Sequence, residues 1–184
     1  TQNNRILIFD TNFKLIENLN SFKLNYNNLL GISKSTDVPI SYPYYIRALS
    51  EDQIIVNVSG WNRYVELFLQ KKKYEKSNFL ALNIFGNKPD DWDRFYKNFV
   101  YDKEFDAPND LIYIDSIKKL VLTVTNNHSM LFFDRVGGEW LFDKEIYQRN
   151  VKVLEYFETG DNIFLVAYGP DKSGLGVINI YDLN

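Results

Sequence analysis

Short apolar runs rich in β-branched and aromatic residues recur along this 184-residue chain, and polar turn signals separate them. Examples are RILIF at 5–9, IIVNV at 54–58 and IFLVAY at 163–168. Such runs at spacings of about 8–12 residues are typical of an all-β protein. Aromatic residues make up 16% of the chain, which predicts a packed core because disordered chains are poor in them.

Neighbouring runs are predicted to pair as antiparallel hairpins. Asn126-Asn127 separates KLVLTVT (119–125) from SMLFFD (129–134), and Asn tolerates the positive φ of tight turns. By contrast, residues 20–42 are rich in Asn, Ser and Pro and predict a long connection.

One short helix is predicted near 89–99. Pro89 and the acids after it suit a helix start. An apolar stripe at i, i+3, i+4 and i+7 follows, formed by Trp92, Phe95, Tyr96 and Phe99.

Three runs resemble one another: ILIFD (6–10), MLFFD (130–134) and INIYD (178–182). Each is a strand that ends in an aromatic residue followed by Asp, and the Asp is expected to cap the following turn. The interval from Asp134 to Asp182 fits a four-stranded blade, which repeats every 40–50 residues or so.

This ending resembles the blades of β-propellers of the TolB-like, kelch-like and WD-repeat types. The Asn-, Ile-, Lys- and Tyr-rich text is similar to six-bladed-propeller lipoproteins of gut Bacteroidetes. The resemblance implies a single β domain over 1–184 within a larger propeller, and a periplasmic or cell-surface location rather than a cytoplasmic one. Its blade-like units would be 44–84, 111–146 and 151–181, with a strand pair at 5–19. It transfers no catalytic residue.

Two other architectures stay open. One is a compact four-blade propeller with a blade in 20–42, and the other is a β-sandwich.

Composition excludes several kinds of site. With no cysteine and one histidine, the chain lacks thiol nucleophiles and a zinc ligand set. His128 lies beside Ser129, but a catalytic Ser-His pair needs an orienting group and an oxyanion hole. We therefore predict a hairpin position, where His128→Ala changes the free energy of unfolding by less than about 1 kcal/mol.

The acidic clusters at 90–93 and 102–106 lack the order of a calcium loop. We interpret them as helix capping and solvated surface. The loop GPDKSGLG (169–176) lacks a phosphate-loop ending and is interpreted as a hairpin connection. No cofactor is predicted, and no metal is expected to be required for folding.

The remaining features predict a non-enzymatic binding or scaffold module that recognises a protein or glycan through its loops. A net charge of −3 argues against nucleic acid, and no apolar run is long enough to span a membrane. Trp61, in a predicted turn, is the candidate ligand-binding residue, with core packing as its alternative role. Open blade edges predict self-association. The alternative function is a carboxylate-dependent hydrolase or lyase whose site lies partly outside this chain.

Overall fold

The computed structural model describes residues 4–27, 33–70, 78–86, 99–101, 103–170 and 173–183. Their regular structure is β-strand, apart from short 3-10 turns, which confirms the all-β prediction. The chain divides into two compact units, Thr1–Glu104 and Phe105–Asn184, and each is described by itself.

The first unit contains a two-stranded hairpin and a larger sheet. The hairpin pairs β1 (Ile6–Phe9) with β2 (Leu15–Leu19). The strands of the larger sheet are β3 (Ser21–Asn27), β4 (Ser33–Pro39), β5 (Pro43–Ala48), β6 (Gln53–Val58), β7 (Arg63–Gln70), β8 (Asn78–Phe85) and β9 (Phe99–Tyr101). Their order is β4-β3-β8-β7-β6-β5, with β9 beside β8. Strands β5 to β8 form an antiparallel meander, whereas β3 and β9 pair with β8 in parallel.

The prediction of a long connection at 20–42 is wrong, because β3 and β4 pair there as antiparallel strands. Phe22 and Leu24 alternate with Lys23 and Asn25, and both apolar side chains are buried. This period-2 pattern is that of a half-buried strand and outweighs the turn-forming composition of the segment. The core of the unit collects these side chains with others from β6, β7 and β8, including Val56, Val65, Leu67 and Ile84.

The second unit contains two antiparallel meanders. The four-stranded sheet consists of β10 (Pro108–Ile114), β11 (Lys119–Val124), β12 (Ser129–Val136) and β13 (Glu139–Tyr147). The three-stranded sheet consists of β14 (Val153–Thr159), β15 (Asn162–Pro170) and β16 (Gly176–Asp182). Their facing sides share one core, to which Ile112, Val121, Phe132, Leu165 and Ala167 belong.

The predicted hairpin at 119–134 is confirmed. Leu120 pairs with Phe133 and Val124 with Ser129, in an uninterrupted register. The positive φ of the turn falls on His128, at 58°, rather than on either asparagine.

The meander β5–β8 and the four-stranded meander β10–β13 use the same strand–3-10 turn–strand connection. In the first unit a turn at Ser59–Trp61 ends at Asn62, and in the second a turn at Asp115–Ile117 ends at Lys118. Both end residues are left-handed, with φ of 51° and 52°. The shared connection matches β6–β7 with β10–β11, which is one strand out of phase with the blade-like units 44–84 and 111–146.

The two sheets of the second unit differ in burial. Strand β11 is buried after Lys119, and β12 is buried over residues 129–133, so both faces of these segments are covered. In β15 and β16 buried or half-buried residues alternate with more exposed ones. One face of the three-stranded sheet is therefore open to solvent.

The predicted helix near 89–99 lies outside the described residues, except for Phe99, which begins β9. The strands predicted within 5–19, 44–84, 111–146 and 151–181 coincide with observed strands. Their arrangement as propeller blades, and a single domain over 1–184, stay predictions.

Candidate functional site: an exposed apolar face of the β14–β16 sheet

The open side of the three-stranded sheet is apolar. We name it the outer face and define it by Phe157 on β14, Phe164, Val166 and Tyr168 on β15, and Ile178 and Ile180 on β16. Side chains of a strand alternate between its two faces, so these residues project away from the core that holds Leu165 and Ala167. The outer face is apolar because apolar residues occupy both the core-facing and the outward-facing positions of these strands.

The exposure of the outer face is substantial. Ile178 is 67% exposed, Ile180 61%, and Phe157 and Tyr168 44% each. At about 200 Å² for a large side chain, these four residues present roughly 400 Å² of surface. Patches of this size are commonly functional on a monomer.

The residues of the outer face form ordered cross-strand rows. Phe157 and Phe164 are register partners and stack with ring centroids 5.1 Å apart and 24° between planes. Tyr168 is opposite Ile178, and Val166 is opposite Ile180. The result is a surface of ordered cross-strand rows.

Carboxylates lie on two sides of this apolar surface. Glu155 is opposite Val166, and Asp182 is opposite Phe164, so both belong to the same rows. The rows formed by these pairs carry no lysine or arginine. The surface is thus suited to an apolar partner with cationic groups at its margin.

A network of side chains holds the open sheet to its neighbour. The connector Gln148–Val151 links β13 to β14. Within it, Gln148 Oε1 accepts hydrogen bonds from Asn179 Nδ2 at 2.9 Å and from Tyr181 Oη at 2.7 Å. Burial raises the pKa of Tyr181, which keeps its hydroxyl a donor over a wide pH range. Both donors belong to β16, so the last strand is fixed by more than its ladder.

Gly169 on β15 makes a close approach to the connector. A Cβ at this position would lie 2.5 Å from the Arg149 carbonyl oxygen and 3.3 Å from that of Asn150. Only glycine lets β15 pass the connector so closely.

Trp61 is half-buried and packs against the core of the first unit. Its ring meets Phe22 edge-on, with centroids 5.8 Å apart. Beside it, a Cβ on Gly60 would lie 3.0 Å from the ring of Tyr42, which is 51% exposed. Core packing therefore accounts for much of Trp61, and ligand binding by this residue stays a prediction.

His128 and Ser129 have separate structural partners. The Asn150 N–H donates to His128 Nδ1 at 3.1 Å, and the rings of His128 and Tyr147 meet edge-on. Ser129 Oγ is buried and bonds Glu145. The structure gives these two residues no mutual hydrogen bond, so they do not form the pair that a serine nucleophile requires.

An ion cluster joins three strands of the four-stranded sheet. Lys119 Nζ lies 2.7 Å from Asp134 and 2.9 Å from Asp143, with the lysine side chain only 14% exposed. Asp10 does cap its turn, since its Oδ1 accepts from the Asn12 and Lys14 N–H groups. Asp134, expected to do the same, bonds Lys119 instead, because that lysine is its cross-strand partner.

The first unit contains a fully buried carboxylate that was not predicted from the sequence. Glu66 accepts a hydrogen bond from Asn83 Nδ2 at 2.7 Å, and the two are register partners on β7 and β8. The signal was available, because a charged residue inside the apolar run RYVELFL becomes buried when both faces are covered. The hydrogen bond satisfies one oxygen of this carboxylate.

The other predicted features are surface positions or lie outside the described residues. Glu104 and Asp106 are exposed, while Asp102 and the cluster at 90–93 are not described. In the part of the chain that the structure describes, no group of three His, Cys, Asp or Glu residues is placed to hold a metal ion. Among the same residues, no helix has the length and apolar character needed to cross a membrane.

Comparison with known proteins leaves the family open. No protein family profile matches the chain, and no curated protein or solved structure matches it significantly.

Proposed function

We propose that this chain is a non-enzymatic binding module that docks a protein on the outer face of its β14–β16 sheet. The observation that carries the proposal is an apolar face exposed at Phe157, Tyr168, Ile178 and Ile180, while the opposite face of the same sheet is buried. Continuous apolar strands are typical of sheets covered on both sides. A protein surface supplies the missing cover.

A protein suits the outer face better than a glycan does. Two of the four most exposed residues are isoleucines, which bury apolar area but cannot stack on a sugar as aromatic rings do. Burial of roughly 400 Å² gives on the order of 10 kcal/mol before the cost of association. An association cost of at least about 4 kcal/mol leaves at most about 6 kcal/mol, so we expect an affinity between tens of micromolar and millimolar, typical of reversible docking.

The propeller interpretation gives one kind of protein surface that would cover the outer face. The four-stranded meander β10–β13 packed against the meander β14–β16 is the arrangement that consecutive blades would have. In that interpretation, which stays a proposal, the outer face meets a further blade-like sheet.

A photo-crosslinking amino acid placed at Phe157 or Tyr168 tests the proposal in the cells that make the protein. Both positions should give a discrete adduct with another protein. The matched control is Tyr147, an aromatic residue on β13 of the same unit that is 70% exposed. Equal adducts from all three positions, or none from the outer face, would refute the proposal, and an adduct of twice the chain mass would identify a second copy instead.

A second candidate is glycan binding at the Trp61 turn. Tyr42, 51% exposed, lies beside Gly60 of the turn and offers ring surface for stacking. A glycan that quenches tryptophan fluorescence, with the quenching lost in Tyr42→Ala, would support it. Unchanged fluorescence across a glycan panel would refute it.

The hydrolase or lyase alternative has less support. An acid catalyst needs a carboxyl with a raised pKa. The Asp115 carboxyl shows the opposite direction, because its hydrogen bond with Lys118 lowers its pKa.

A further inference from the structure

Strand β16 is an outer strand with one side open. Among the described residues it pairs only with β15. The Leu183 N–H donates to the Ile163 carbonyl, so the odd-numbered residues of β16 bond to β15. In an antiparallel ladder the intervening residues direct their main-chain groups to the other side. The N–H and C=O groups of Ile178 and Ile180 therefore point outward.

This edge lacks the protection that several other outer strands carry, and β14, the other outer strand of the same sheet, has Glu155 and Glu158 within its length. Charged residues, proline and bulges normally blunt a sheet edge. Strand β4 has Lys34 and ends at Pro39, β5 begins at Pro43 and has a register shift, and both β10 and β13 have register shifts. Strand β16 reads Gly-Val-Ile-Asn-Ile-Tyr-Asp, with no lysine or proline and an uninterrupted register.

The sequence of β16 is also nearly symmetric. Ile178 and Ile180 flank Asn179 at equal distance, and Val177 and Tyr181 flank that triplet. An antiparallel strand that pairs with its own copy does so about a twofold axis, so a symmetric strand presents like residues to like residues.

We propose that β16 pairs with β16 of a second copy, antiparallel and centred on Asn179, to join two three-stranded sheets into one. This register places Ile178 opposite Ile180 of the second copy. These are the residues whose main-chain groups point outward, so each cross-strand pair exchanges two hydrogen bonds. The inference goes beyond the proposed function, because it uses the edge of the sheet rather than its outer face.

Side-chain packing favours the same register. Asp182 lies opposite Gly176 of the second copy. A shift that centred the pairing on Ile180 would place Asp182 against Ile178 instead. Isoleucine pairs across an antiparallel ladder add side-chain contact on the exposed face.

The first test is the oligomeric state of the whole chain by sedimentation velocity between about 1 and 300 μM, the range in which a small interface associates. We expect a concentration-dependent monomer–dimer equilibrium. The double variant I178K/I180K sets like charges opposite each other and should weaken the dimer at least about tenfold. The control Ile16→Lys replaces an isoleucine that is 58% exposed outside β16, and should leave the equilibrium unchanged.

The second test fixes the register with cysteines, because the chain has none of its own. Opposed residues of a hydrogen-bonded pair have Cα atoms about 5.5 Å apart, within reach of a disulfide. A mixture of I178C chains and I180C chains should oxidise to a covalent dimer. Either variant alone should not, because its cysteines would be offset by two residues along the strand, beyond about 7 Å.

Three outcomes would overturn the proposal. One is a monomer at every concentration, and another is a dimer that I178K/I180K leaves intact. The third is a covalent dimer from I178C or I180C alone that forms as fast as the mixed dimer. Both isoleucines are exposed in the monomer, so these substitutions test association with little effect on folding.

Discussion

The replacement Lys119→Met probes the ion cluster of the four-stranded sheet. It removes the ammonium that Asp134 and Asp143 share at 2.7 and 2.9 Å. The two carboxylates are then no more than about 6 Å apart with no cation between them, where repulsion amounts to about 3 kcal/mol at an effective dielectric constant of 20 and about 1 kcal/mol in water. Asp134 is 41% and Asp143 32% exposed, so solvent screens much of this energy. We expect a loss of about 1–2 kcal/mol in the free energy of unfolding at pH 7.

The matched control is the neighbouring replacement Lys118→Met. Lys118 also bonds a carboxylate, Asp115 at 2.5 Å, but both side chains are more than half exposed. The two variants lose the same charge from adjacent positions, and only Lys119 lies between two half-buried acids. The control should change the free energy of unfolding much less than Lys119→Met does, because solvent screens an exposed ion pair.

The pH dependence of stability gives a second readout. Burial lowers the pKa of Lys119, but hydrogen bonds to Asp134 and Asp143 outweigh that effect and raise it above the ordinary lysine value. A raised pKa in the folded state contributes stability that is complete below the unfolded value, about 10.4, and is lost as pH rises through the folded value. The parent chain should therefore lose more stability than the Lys119→Met variant above about pH 10.4.

Urea unfolding followed by tryptophan fluorescence, at pH 7 and again between about pH 9 and 11.5, measures both effects. Tyrosine ionisation acts on both proteins and cancels in the difference between them. Equal midpoints for the two variants at pH 7, or the same alkaline loss in the parent chain and the Lys119→Met variant, would refute the reasoning.

Three further predictions concern other parts of the chain. Gly169→Ala should lower the free energy of unfolding by about 1–3 kcal/mol, because its Cβ would clash with the Arg149 carbonyl. The control Gly176→Ala contacts only a movable tyrosine side chain and should lower it less. Equal losses in urea unfolding would contradict this prediction. His128→Ala should lower the free energy of unfolding by about 1–2 kcal/mol, more than the sequence-based prediction of less than about 1 kcal/mol, because His128 is half-buried and accepts a hydrogen bond from the Asn150 N–H. A thermal midpoint equal to that of the parent chain would favour the sequence-based prediction instead. A chelator should leave the thermal midpoint unchanged, and a large drop would show that the acids hold an ion.

The sequence predicted the strands well where their pattern was local. The hairpin at 119–134 formed as expected because apolar runs on both sides of Asn126-Asn127 leave one plausible register. At 20–42, composition suggested a loop, yet the alternation of Phe22 and Leu24 with polar residues governs the outcome. Periodicity was the stronger signal, since burial of a strand face outweighs the turn preference of single residues.

The alignment of the repeated strands with one another could be determined only from the structure. The strand–polar turn–strand pattern of the blade-like units 44–84 and 111–146 aligned β5–β6 with β10–β11, whereas the shared left-handed residues Asn62 and Lys118 align β6–β7 with β10–β11. Positive φ at a non-glycine residue is weakly marked in sequence, so this connection could not be found from the letters alone.

The outer face lay beyond sequence reasoning for a related reason. Apolar residues at both phases of β15 indicate burial on both sides, as they do for β11 and β12. Which sheet is left uncovered depends on what packs beside it, and that is a property of the assembled chain rather than of any one strand.

The bonds of Gln148 have a consequence for local unfolding. One amide oxygen holds Asn179 and Tyr181 of β16 to the connector before β14, while Thr125 Oγ1 donates to the Val151 carbonyl at the other end of that connector. Detaching β16 therefore breaks side-chain bonds as well as its ladder, and loosens the peptide that enters β14. In native-state hydrogen exchange, the amides of β16 that face β15 should open together with those of residues 148–151 as one cooperative unit, rather than fray one by one from the end of the strand.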